Sequence, residues 1–284
     1  MAHSIIPPII SSVDITIVLL MVGIGIFAST YGSLVGAGGG FIVMPILIFI
    51  SPESPPALLT AISLTGVLMA GLSGAWAYHR LGLIDYRSAI AFAIPRIPGA
   101  ILGVFIVHQI GPSLFRIVLG SMLILAGASF LRRPVHNALV STRGGFGYRY
   151  LRDRQGDVYQ YRFNLPLGMV ANFPVGILSS LLGIGGGLIF TPFAITVLGF
   201  PTLIATATSV FTLVLTTVAA LVTHVATGTF SGGGLQLFPV ALGMTVGGQI
   251  GPRIARRVGD KFVRRLMAST LIVIGASMAA SQFL

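Results

Sequence analysis

From Ile15 to Ile50 the chain runs for 36 residues without one charged side chain. A water-soluble fold of 284 residues has no interior that could hide such a run, and comparable stretches recur to the end of the sequence. Apolar segments of about 20 residues are what a helix needs to cross the hydrocarbon core of a bilayer. Ten can be drawn, at 15–34, 41–50, 57–78, 88–107, 113–131, 163–182, 188–198, 202–225, 235–252 and 263–283. Charged residues make up 8% of the chain, where a soluble domain has roughly 25%. The expected class is an all-α polytopic membrane protein with about ten membrane segments.

The net charge of +11 does not signal nucleic-acid binding, because of where the charges lie. The connections 79–87, 131–162 and 253–265 hold 15 of the 17 Lys and Arg, and those at 51–56, 108–112 and 226–234 hold none. Lys and Arg of short loops favour the cytoplasmic face. The alternation predicts a multi-pass protein of the cell inner (cytoplasmic) membrane with both termini outside the cytoplasm. The N-terminal "MAHSIIPP" has no basic region or cleavage site, so no removable signal peptide is expected. There is no cysteine, which excludes disulfides and thiolate metal sites. No metal or cofactor is expected. Within the basic stretch 132–162, "YRYLRDRQGDVYQYRF" (148–163) alternates aromatic and polar residues around "RQGD", the pattern of a small cytoplasmic β-hairpin. A plain linker and a regulatory or docking element are both open readings of this stretch.

The chain repeats itself. "GAGGGFIVMP" (36–45) and "GIGGGLIFTP" (183–192) share six of ten positions. Pro55 and Ser63 recur as Pro201 and Ser209, and Gly99, Gly103 and Gly111 as Gly247, Gly251 and Gly259. "GAS" at 127–129 returns at 275–277. This divides the chain into a first repeat at 1–131, the basic loop at 132–162 and a second repeat at 163–284. On the charge-derived topology the first half begins outside and the second begins inside. Inverted repeats of this kind are typical of secondary transporters.

In lipid every backbone polar group must be satisfied, so a glycine-rich break demands a protein-lined or wet setting. Each break is followed by a short apolar run from Phe41 or Leu188, about half the length of a spanning helix. The start of such a helix presents free N–H groups and the positive end of a dipole. Gly38, Gly39, Gly40 and Phe41, with Gly185, Gly186, Gly187 and Leu188, are therefore candidates for binding an anion between two helix tips near the midplane. Tight helix packing is the alternative use of these glycines. Arg96, between Pro95 and Pro98 and deep in a span, is costly there and is a candidate anion contact. Bonding to carbonyls freed by the prolines, or snorkelling, would also account for it. Ser63 and Ser209 can donate to the same ligand or bond neighbouring helices. His79 and His224, near helix ends, are interfacial or coupling residues. Asn172 either satisfies a kink near Pro174 or touches substrate.

With these motifs in view, the chain resembles the sulfite exporter TauE/SafE family of membrane transporters. The resemblance rests on "GAGGGFIVMPIL" (36–47), "GIGGGLIFTPF" (183–193), the "P..A..TA.S" pattern at 55–63, "AYHRLGLIDY" (77–86) and "GGQIGPRIARRV" (247–258). It spans nearly the whole chain except 132–162. It implies transport of a small sulfur-containing anion: sulfite, thiosulfate or an organosulfonate such as sulfoacetate. Arg96 matches no shared family motif. A passive anion channel or a carboxylate transporter would use the same features. An intramembrane serine protease built on "GLSG" (71–74) and His224 is disfavoured, because the two lie near opposite ends of their spans and catalysis needs contact. The expectation is a non-enzymatic secondary transporter with a small anionic substrate and the bilayer as its partners. Its oligomeric state is open.

Overall fold

The computed structural model describes residues 15–131, 147–232 and 238–257. Nine of the apolar segments appear in it as helices: α1 (Ile15–Val35), α2 (Gly40–Ile50), α3 (Pro56–Leu81), α4 (Tyr86–Val107), α5 (Pro112–Leu131), α6 (Leu165–Leu181), α7 (Gly187–Thr196), α8 (Thr202–Ala226) and α9 (Phe238–Arg257). The tenth segment, both chain ends and residues 132–146 lie outside the described residues. Val18–Val35 in α1, and α3, α4 and α8 entire, are long and apolar enough to cross a membrane. Large apolar side chains such as Leu19, Phe27, Ile94, Leu125, Val170 and Val222 are more than half exposed. In water such a surface would drive aggregation; against lipid tails it costs nothing.

Local chemistry sets the helix boundaries. α3 and α8 both start behind a proline in the extended region, Pro55 at φ −56°, ψ 136° and Pro201 at φ −57°, ψ 138°. α3 stops at Gly82, left-handed at φ 74°, whose N–H returns to His79 and Tyr78 carbonyls. Asp85 then caps α4 by accepting from the Ser88 N–H, and Asn164 caps α6 through Leu167.

The long helices approach so closely that only glycine fits at their crossings. On α4, a Cβ at Gly99 or Gly103 would collide with the Phe173 or Ile177 carbonyl of α6. On α9, a Cβ at Gly247 or Gly251 would collide with the Ile26 or Thr30 carbonyl of α1. The glycines are 148 residues apart and the carbonyls 147 apart, so the α4–α6 contact is repeated, residue for residue, by α9–α1. α3 and α8 pack against each other and against α9 and α4 respectively.

The segment read as a hairpin forms one: β1 (Gly147–Arg152) pairs antiparallel with β2 (Val158–Phe163), and Arg154–Asp157 make the turn. Alternation decides what it buries. Tyr161 and Phe163 face the bundle; Tyr148, Tyr150, Arg152 and Arg162 face away. The anchor is Asp85, a buried carboxylate that accepts from the Tyr161 hydroxyl at 2.7 Å and pairs with Arg149 Nε at 3.2 Å. Its backbone N–H donates to Thr208 Oγ1 on α8. Burial first, and then the Asp85 charge, push the Tyr161 phenol up, so it remains a donor at physiological pH. Phe163 adds rings 6.0 Å from Phe92 and 4.7 Å from Phe200. The hairpin thus seals one end of the α4–α8 seam. Asp85→Ala removes an N-cap and a largely buried charge pair together, and is expected to cost about 2–4 kcal/mol. Limited trypsin cleavage after Arg152 and Arg154 should accelerate in that variant, whereas Gln160→Ala, on the outward face, should cleave like the parent protein.

Candidate transport site

Two loops of the same shape meet in the middle of the bundle. Left-handed glycines occur at matched positions: Gly36, Gly38 and Gly39 at φ 83°, 73° and 96°, and Gly183, Gly185 and Gly186 at 68°, 76° and 72°. Any other residue would be strained at all six. The pattern turns the chain sharply after α1 or α6 and starts α2 or α7 with no side-chain cap. α2 and α7 hold 11 and 10 residues, about half a membrane thickness each.

The loops hold each other. Ser63 Oγ on α3 donates to the Gly183 carbonyl at 2.6 Å, and its repeat mate Ser209 on α8 donates to the Gly36 carbonyl at 3.0 Å. A Cβ at Gly40 would lie 2.6 Å from the Gly183 oxygen, and one at Gly187 would overlap the Gly36 oxygen. Val67 and Leu213, also mates, pack against Gly38 and Gly185. The sequence suggests an anion held between the two tips. In the structure the tips touch, because each loop carbonyl sits against the first residue of the other short helix. Both serine hydroxyl protons are used in that contact. Phe41 and Leu188 are wholly buried behind the tips, Phe41 against Tyr31 with ring centroids 5.9 Å apart.

The symmetry breaks at Arg96. Its counterpart on α9 is Met244, whose carbonyl accepts from Ser29 and whose thioether packs at Gly66. Arg96 has no solvent exposure and reaches neither a surface nor the carbonyls of its own helix. Its Nη2 donates to the Gly185 carbonyl at 3.0 Å, and its guanidinium carbon lies 5.7 Å from the Phe190 ring centroid. Nε and Nη1 are buried with no partner among the described residues. Among the described residues no carboxylate answers this charge, and the group beside it is the uncapped N-terminus of α7, itself a positive dipole end. A Cβ at Gly186 would overlap Nη2, so the third glycine of the motif makes room for the arginine. Thr191 Oγ1, buried and without a partner among the described residues, lies on α7 one turn beyond its start and faces the Gly36 loop.

Asn172 donates to the Gly168 carbonyl and leaves its Oδ1 unpaired in the buried face of α6. His79 is exposed and bonds Tyr86 at 2.7 Å, while His224 is buried far along α8. The two histidines do not meet. Ser73 donates to the Thr245 carbonyl. Residues that the sequence did not single out prove to matter. Asp85 was legible as an N-cap, three residues before Ser88. His108, Val67 and Leu213 carry no local signal, because only the packed helices bring them to their partners.

The fold and this site define a polytopic helical membrane protein with a cationic centre at mid-bundle. The chain belongs to the sulfite exporter TauE/SafE family, whose pattern it matches over residues 21–278. It is 30% identical over 268 residues to the "Probable membrane transporter protein YunE" of Bacillus subtilis, covering 92% of this chain and 96% of the relative. It is 26% identical to a "Probable membrane transporter protein" of Methanocaldococcus jannaschii, covering 91% and 94%. No solved structure matches the chain.

Because the tips are in backbone contact, Gly187→Ala is expected to prevent stable assembly, and Gly40→Ala to lower the melting temperature sharply. Gly23→Ala, where a Cβ meets nothing within 4 Å, should be neutral or slightly stabilising. Fluorescence-detected size exclusion with thermal ramping checks all three.

Proposed function

We propose that this protein is a secondary transporter for a small sulfur-containing anion, built from two inverted halves and working by alternating access. The single observation that carries the reading is Arg96: a wholly buried guanidinium with two free donor nitrogens, set against a helix N-terminus. A cation placed in that environment costs several kcal/mol, and a ligand oxyanion is the natural compensation. The anion binds on the Arg96 flank of the α7 tip rather than between the tips. Phe190 forms one wall, and the first N–H groups of α7 are further donors. A planar guanidinium fits the trigonal face of a sulfite or sulfonate group.

The repeated glycine–carbonyl contacts of α4–α6 and α9–α1, and the reciprocal serine bonds, support inverted repeats. They also support a rigid-body movement, since each half grips the loop of the other. Asn172 lies on the helix that packs over Arg96 and serves as a positioning residue. The transporter sits in the cytoplasmic membrane with the hairpin on the cytoplasmic side and both termini outside. Export suits an anion, since leaving a negative interior yields about 2.3 kcal/mol per charge per 100 mV.

The test is a thermal-shift screen of purified protein against sulfite, thiosulfate, sulfoacetate and methanesulfonate, with carboxylates and neutral solutes as controls. A ligand at 100 times its Kd adds about 2.7 kcal/mol of stability, a shift of several degrees. Arg96→Gln should fold, because it sheds a buried charge, and should lose at least tenfold in affinity. Stabilisation by neutral solutes alone, or equal anion stabilisation of both proteins, would contradict the reading.

A further inference from the structure

Each glycine loop folds back onto the end of the helix before it, and the two halves do this differently. The bonds that set the register are equivalent: the Ala37 N–H donates to the Gly32 carbonyl, and the Ile184 N–H to that of Ser179, 147 residues further on. In the first half the loop lies flush on α1. A Cβ at Gly32 would sit 2.0 Å from the Gly39 nitrogen, and one at Gly39 would sit 2.6 Å from the Ala28 carbonyl oxygen. In the second half the loop rests on side chains instead. A Cβ at Gly186, the mate of Gly39, would meet Arg96 Nη2 at 2.0 Å, Ser179 Cβ at 2.8 Å and Ser179 Oγ at 2.9 Å before any backbone of α6.

Two departures from the repeat therefore meet at one point. Arg96 stands where α9 has Met244, and Ser179 stands where α1 has Gly32. The first half closes the same turn without either polar group, so the fold does not ask for them. Ser179 is 1% exposed and Arg96 not at all, and burying such groups is costly unless they are bonded.

The donors still open beside Gly186 can be counted. A guanidinium holds five N–H donors in one plane, and Nη2 belongs to two forked edges, one shared with Nε and one with Nη1. Gly185 takes one Nη2 hydrogen. The other is left beside Nε or beside Nη1, both unpartnered among the described residues. One edge thus stays open whichever hydrogen Gly185 takes, with the Ser179 hydroxyl next to the nitrogen common to both edges. A carboxylate fills such an edge with its two oxygens. A sulfonate or sulfite fills it too and has a third oxygen to spare.

We propose that Ser179 binds the third oxygen of the anion and makes this site prefer a three-oxygen sulfur group to a carboxylate; this rests on the transport reading above. Arg96 supplies charge and two bonds, which serve either ligand. The Ser179 hydroxyl supplies one more bond, which a ligand with three oxygens uses in full. Selectivity between anions of equal charge then comes from a neutral donor on α6.

The experiment is a thermal-shift titration of purified full-length protein with methanesulfonate and with acetate. Each carries one charge and one methyl group, so the two differ in the head group alone. The parent protein should bind methanesulfonate at least about tenfold tighter, the worth of one hydrogen bond to a charged group. Ser179→Ala should weaken methanesulfonate about tenfold and leave acetate nearly unchanged, whereas Arg96→Gln should weaken both. Ser180→Ala, at the adjacent buried hydroxyl, should keep the parent ratio. Should Ser179→Ala fail to fold, Ser179→Cys, close in size but a weak donor, should show the same lost preference. Equal affinity for the two anions in the parent protein, equal loss of both in Ser179→Ala, or the same lost preference in Ser180→Ala would overturn the proposal. Absence of any Arg96-dependent anion binding would instead overturn the transport reading itself.

Discussion

The structure depends on the backbone contact between two glycine loops in the middle of the bundle. In lipid an interrupted helix is tolerated only where its freed polar groups find partners in protein or water. Here each interruption supplies the other's partners. The Gly36 and Gly183 carbonyls receive Ser209 and Ser63, and each short helix begins against the opposite loop. Neither half can satisfy its own break. That mutual dependence explains the six left-handed glycines, the two serines and the Val67–Leu213 contact in one stroke.

Within this set of repeated contacts one buried charge has no counterpart. Arg96 occupies a position where its repeat mate is the apolar Met244, so the fold does not require it. The glycine loop bends around it, with Gly185 accepting from Nη2 and Gly186 leaving it room. The same helix is pinned by Asp85 and the hairpin at one end and by His108 at the other. α4 is therefore the element that joins the hairpin, the buried cation and the turn after α8.

Much of this was legible in the sequence, for identifiable reasons. Apolar run lengths and proline or glycine punctuation located nine helices to within a few residues, since in lipid those signals are strong and few. The hairpin followed from strict alternation around Arg154–Asp157. The glycine motif and its offset gave the two loops. The register of the tips was not legible. Glycine marks close approach without naming what approaches, and at Gly40 and Gly187 the structure sets the other loop's carbonyl there. Ser63 and Ser209 share a pattern that fits donors of either kind, and only their distances decide. The cap role of Asp85 was legible from Ser88, but its ion pair was not, because Arg149 and Tyr161 lie over 60 residues away in the chain. His108 was invisible for the same reason, as its partners are on α8 and the turn after it.

The central claim is that the buried guanidinium waits for an acceptor, and the Arg96 Nε–H reports on this directly. In selectively labelled protein reconstituted in lipid nanodiscs, its proton–nitrogen resonance can be followed as a sulfonate or sulfite is added. The account predicts a saturable downfield shift and slower exchange with water. A resonance indifferent to every oxyanion that stabilises the protein would contradict it.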